Sequence, residues 1–183
     1  MKTNKIKALA LLLILITVCL TLFSACSESR DDSIVDGGKS AKTIADSEQI
    51  NIRLYKFDVG DTNKPAQTEL FVFDKEKLEN DTLNVLNEVF SSDEIYLRNA
   101  VMDKEKKCIT ADLPQKVATF LGTNKRVADA LTYELVVTLQ NIPGIEKVVL
   151  TVEGKKDSVG IYYDFKGTFV KTGEITFKKD TAK

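Results

Sequence analysis

The sequence predicts an α+β fold: a small mixed sheet with two helices packed on one face, plus short strands at the C-terminal end. Two observations carry this. Apolar residues alternate with polar ones at 50–54, 109–113 and 148–152, the period of half-buried strands. Between the last two of these lies a stretch, 124–141, whose apolar residues recur at helical spacing. A striped helix and a one-faced sheet each need a partner, and packing one on the other buries both.

Taken in order, "INIRLY" puts Ile50, Ile52 and Leu54 on one face and Asn51 and Arg53 on the other. "TELFVF" at 68–73 reads as a second strand, and the Gly, Asn and Pro between them mark a hairpin with a loose loop. Asn80 or Asp81 is placed to cap a helix carrying Leu83, Leu86, Val89 and Phe90. Ile95, Leu97 and Val101 then predict a strand, "DKEKK" at 103–107 a charged turn, and Ile109, Ala111 and Leu113 the returning strand, stopped by Pro114. The long helix carries Val127, Leu131, Leu135 and Leu139 in one stripe facing a sheet, with Thr123 or Asn124 as its cap. "NIPGIE" closes it, "KVVLTVEG" supplies the next strand, and "VGIYYDF" and "FVKTGEITF" read as two more short strands.

The amino end has a different composition. Lys2, Lys5 and Lys7 precede an uncharged apolar run from Ala8 to Phe23, the layout of a secretory signal. Ser24 and Ala25 put small side chains before Cys26, so residues 1–25 resemble a bacterial lipoprotein signal peptide with its lipobox. That resemblance implies cleavage before Cys26, acylation of its thiol with diacylglycerol, and the palmitate-type anchor of a lipoprotein. The alternative is an uncleaved signal anchor, since the run approaches the ~20 residues that span a bilayer. Either way the rest of the chain is expected on the extracytoplasmic face of the cell membrane. Residues 26–49 mix both charges with Ser and Gly and read as a disordered tether with a root-mean-square reach of about 25 Å. "GGKS" at 37–40 lacks both the first Gly of a phosphate loop and a preceding strand, so it belongs to the tether. Residues 50–183 are then one domain of ordinary size.

Charge and cysteine content narrow the function classes. Removing the three leader lysines from 26 basic residues leaves 23 against 27 acids, a net charge of −4. A nucleic-acid binder needs a basic face instead. With Cys19 in the leader and Cys26 acylated, Cys108 stands alone, and the domain relies on its core without a disulfide.

The order strand, helix, "YLRNAVMDKEKKCITADL" hairpin, then "ADALTYELVVTLQNIPGIEKVVLTVEGK" resembles a GerMN domain, the module named for a spore-germination protein of endospore-forming bacteria. The residues that carry the likeness are Thr138 and Leu139, Pro143 and Gly144, Val148 to Val152, and Gly154 with Lys155. The resemblance implies an envelope lipoprotein domain, related to ring-building modules, with a role in sporulation or germination. Founding relatives carry two such domains and this chain carries one.

The chain has no His, which removes His triads, His metal ligands and the usual proton shuttle near neutral pH. Cys108 reads as a structural thiol on a strand. Residues 58–69 have the length and terminal acids of a calcium loop, but Gly60 and Thr62 replace ligands and Asn63 stands where Gly is needed. No metal, catalytic residue or small-molecule cofactor is expected. The preferred reading is a non-catalytic module that assembles with an envelope protein or with itself, through its sheet edges or the outer side of the long helix. The competing readings are an acid-only cell-wall glycan hydrolase, using Asp112 with Asp129 or Glu134, and a glycan-binding module offering Tyr96, Tyr162 and Tyr163. Residues 154–183 carry seven Lys against four acids, while 27–153 are net −7; these lysines read as an ordinary solvated surface that also discourages edge-strand pairing, the alternative being a basic edge that touches anionic wall polymer or lipid.

Overall fold

The computed structural model describes residues 47–93 and 95–181, so the leader, Cys26 and nearly all of the tether lie outside the described residues. Every described element belongs to one compact unit, Ile44–Lys183, which holds its own core. The α+β class, the mixed sheet and the short C-terminal strands are all present, with a second sheet and four helices among the described residues.

Strands β1 (Gln49–Lys56) and β2 (Gln67–Asp74) pair antiparallel as a two-stranded sheet, with Ile52 opposite Phe71 and Arg53 opposite Leu70. The next segment forms two helices, α1 (Lys75–Asn80) and α2 (Thr82–Val89), rather than the single one expected. The break is Asp81, at φ −140° and ψ 48°, whose carboxylate accepts from the Asn84 side chain instead of capping the backbone. Val85, Leu86, Val89 and Phe90 are fully buried.

The five-stranded sheet runs β3 (Asn99–Asp103), β4 (Cys108–Leu113), β5 (Lys147–Val152), β6 (Thr168–Lys171) and β7 (Phe177–Asp180) in spatial order, antiparallel throughout except for the parallel β4–β5 pair. A parallel pair requires a crossover, and it is made by α3 (Gln115–Leu121) and α4 (Lys125–Gln140). Ile95 and Leu97 lie before β3 and not in it. The Asn87 amide takes the place of a strand there, accepting from Leu97 N–H at 2.6 Å and donating to its carbonyl at 3.1 Å. "FVKTGEITF" is the β6–β7 hairpin, and "VGIYYDF" is no strand: only Val159 and Asp164 bridge across it.

Helix α4 organises the unit. Asn124 caps it, accepting from Arg126 N–H at 2.9 Å, and Lys171 of β6 donates to the Gln140 carbonyl at its other end, where the helix dipole favours a cation. It packs against both β1 and β5. Leu135 and Leu139 enter the main core, whereas Ala130 and Val137 enter a second cluster with Tyr55 and Phe57. The single apolar stripe expected from the sequence is therefore half of what the helix buries.

Candidate functional site

The proposed carboxylates do not form a site together. Asp112, at the end of β4, accepts from the Thr151 hydroxyl at 2.6 Å and from Gly154 N–H at 2.7 Å, with Arg98 3.5 Å away. It fastens the end of β4 to that of β5 and the turn beyond. Asp129 is an exposed partner of Lys125, one turn away along α4. Cys108 opens β4, where burial, and then the charge of Asp103, push its thiol above the ordinary range, keeping it protonated and a poor nucleophile. Glu69, the last position of the would-be calcium loop, lies in β2 and pairs with Lys56, while Asp61 accepts from Asn63 N–H.

Glu134 lies in a charged cluster that the sequence did not reveal. Its side chain is 4% exposed and Oε1 has no hydrogen-bond partner. Burial, followed by the charge of neighbouring Asp93, pushes its carboxyl up to about 8, and the protonated form also gains a hydrogen bond with Asp93. Lys56 reaches from β1 into the same cluster, 3.0 Å from Asp93 and 3.2 Å from Glu69, and donates to Ser92 at 2.9 Å. Burial alone would lower the Lys56 pKa, but Asp93 and Glu69 outweigh it and hold the ammonium above its usual value. A cavity of about 430 Å³ beside the cluster is walled by Asp93, Ile95, Tyr96, Phe120 and Leu131. Glu134 is not among its lining residues.

The other candidate surface is the outer edge of the small sheet. Among the described residues β2 pairs with β1 alone, and Leu70 and Val72 point outward, 59% and 56% exposed. Tyr96 sits at the cavity, and Tyr162 and Tyr163 in the 159–164 turn, so the three rings do not form one platform.

Residues 54–158 match the Germane family, described as sporulation and spore germination, and this match spans more than half of the chain. The chain belongs to the Germane family. This agrees with the GerMN resemblance drawn from the sequence, and the structure explains its signature residues. Thr138 is fully buried and its hydroxyl oxygen accepts Tyr55 N–H at 3.1 Å, joining α4 to β1. Gly144 and Gly154 have φ of +86° and +75°, the left-handed region that glycine enters at least cost. The Germane match ends at residue 158, before the 159–164 turn and the β6–β7 hairpin. No curated protein matches the chain. Among solved structures, a candidate lipoprotein from Clostridium perfringens aligns at 16% identity and a TM-score of 0.37, covering 67% of this chain and 88% of that one. No helix among the described residues is long and apolar enough to cross a membrane.

Proposed function

We propose that this Germane-family chain is a non-catalytic envelope lipoprotein that assembles with a protein partner during sporulation or germination. Acylated Cys26 holds it on the extracytoplasmic face of the membrane, residues 26–49 act as the tether, and residues 50–183 are the assembly domain. The family supports the sporulation setting. The observation that carries assembly is the outer edge of β2, which no strand pairs among the described residues. An unpaired edge presents a row of backbone donors and acceptors, and proteins usually guard such edges with outward charges or Pro. Here the outward positions hold Thr68, Leu70 and Val72, and the one central charge, Glu69, is occupied by Lys56. Addition of a strand to this edge would satisfy the backbone and cover both apolar side chains.

The test is a photo-crosslinking residue at position 70 or 72 in sporulating cells, with products identified by mass spectrometry. A discrete adduct with an envelope protein, or with a second copy of the chain, is the expected result. In the same cells, the chain is expected to carry a diacylglycerol mass increment on Cys26, which Cys26→Ala removes. Crosslinks confined to wall glycan, with released fragments, would overturn the assembly reading.

The acid-only hydrolase has one observation in its favour: a carboxyl of raised pKa, Glu134, beside a second carboxylate, Asp93. General acid catalysis requires the acid to reach the substrate oxygen. Glu134 is enclosed between α4 and the small sheet, and only Asp93 reaches the neighbouring cavity. The geometry therefore suits a buried, protonated structural carboxyl better than a working acid.

A further inference from the structure

We infer that the 159–164 turn is a membrane-docking finger that places the domain on an anionic phospholipid surface. The turn lies beyond the Germane match and is distinct from the β2 edge. It is built rather than left loose. Phe165 N–H donates to the Ser158 carbonyl and Gly160 N–H to the Tyr163 carbonyl, both at 2.9 Å, and Phe165 is fully buried. The Tyr163 ring packs on Phe165 with centroids 4.7 Å apart. It also closes over Gly160, where an added Cβ would lie 2.2 Å from the ring. On this base the turn presents Ile161 at 81% exposure, with Val159 at 52% and Tyr162 at 43%. An ordered turn that holds an isoleucine, a valine and a tyrosine together in water offers an apolar tip whose transfer into an apolar medium would be favourable.

The charge around the finger identifies the medium. Lys155, Lys156 and Lys166 flank it, are exposed, and enter no ion pair among the described residues. The acids of the same segment are occupied: Asp157 accepts Gly167 N–H at 2.8 Å, and Asp164 accepts Lys166 N–H and pairs with Lys179. Apolar side chains at a tip, a tyrosine beside them and uncommitted lysines behind match the layers of an anionic bilayer, from acyl boundary to headgroup phosphate. A soluble anionic polymer would use the lysines but leave Ile161 unsatisfied. The finger acts independently of Cys26, so its test can be run without the lipid.

The experiment uses residues 44–183, the unit that holds its own core, with vesicles of phosphatidylglycerol and phosphatidylcholine or of phosphatidylcholine alone. The chain is expected to co-sediment with the anionic vesicles, and higher salt is expected to weaken this binding. Ile161→Asp, or the combined change of Lys155, Lys156 and Lys166 to Glu, is expected to reduce partitioning by about tenfold or more. Val101→Asp, at an exposed position on β3, is expected to leave it unchanged. Because the chain has no Trp, Ile161→Trp provides a single fluorescent probe whose emission should shift to the blue on anionic vesicles. Circular dichroism checks that each variant is folded. Equal binding to both vesicle types, no binding to either, wild-type partitioning of Ile161→Asp, or unshifted Trp emission would each overturn the inference. So would full competition by soluble polyglycerol phosphate. Failure of Cys26 acylation would appear separately, as a missing mass increment on the full chain.

Discussion

Glu134→Gln is expected to abolish most of the pH dependence of folding stability between about pH 5 and pH 9. The carboxyl has an ordinary pKa of 4.5 in water and about 8 in the folded chain. Below the lower value both states are protonated and burial costs little. Between the two, the folded state binds the proton that the unfolded state has released, so stability falls as pH rises. Above the upper value Glu134 is ionised in both states, and the folded chain bears the full cost of a buried carboxylate, on the order of 5 kcal/mol. The charge of Lys56 offsets this only in part. Its ammonium stays charged through this window but is already divided between Asp93 and Glu69.

Gln has the same shape and no charge to bury. Near pH 5 the variant should unfold within about 1 kcal/mol of the wild type. Near pH 9 it should be more stable by several kcal/mol. Urea unfolding midpoints at the two pH values, read by circular dichroism, measure this directly. A wild type whose midpoint does not move with pH would show that Glu134 is not held protonated.

That cluster also shows what the sequence could not reveal. Strand and helix periods predicted the hairpin of β1 and β2, a cap at Thr123 or Asn124, the turn at Gly144 and the order of the central elements, because each is written in residues close in sequence. Glu134 falls off the Val127–Leu139 stripe, and the sequence marks it only as one of two helix acids that could approach Asp112. It is buried because α4 packs on the small sheet as well as the large one, and that second contact depends on residues as far apart as Tyr55 and Thr138. Helix α3 was hidden for another reason: with seven residues, it is too short for a period to stand out. The aromatic run at 159–165 resembled a strand, yet Gly160 under the Tyr163 ring turns it back on itself. Asp112 was singled out as a carboxylate at a strand end, which is correct as to place. Its role depends on Thr151 and Gly154, 39 and 42 residues away.

Asp112→Ala is therefore expected to destabilise the fold by about 2–4 kcal/mol, without any role in chemistry. Oδ1 accepts two hydrogen bonds, from Thr151 and Gly154, and Arg98 lies on the side of Oδ2. Truncation leaves a buried hydroxyl unpartnered and frees the turn where Glu153 and Gly154 both take positive φ, at 51° and 75°. It also disturbs the start of α3, because Glu153 from that turn accepts Gln115 N–H at 2.8 Å. Asp112→Asn separates geometry from charge. Its carbonyl oxygen can accept both Oδ1 bonds, and only the contact with Arg98 is lost, where Arg98 keeps Glu153 at 2.6 Å. The amide should therefore cost about 1 kcal/mol, a fraction of the alanine effect. Thermal or urea unfolding of the two variants decides the point: equal losses would mean that the negative charge, rather than the oxygen at the Oδ1 position, holds β4 to β5.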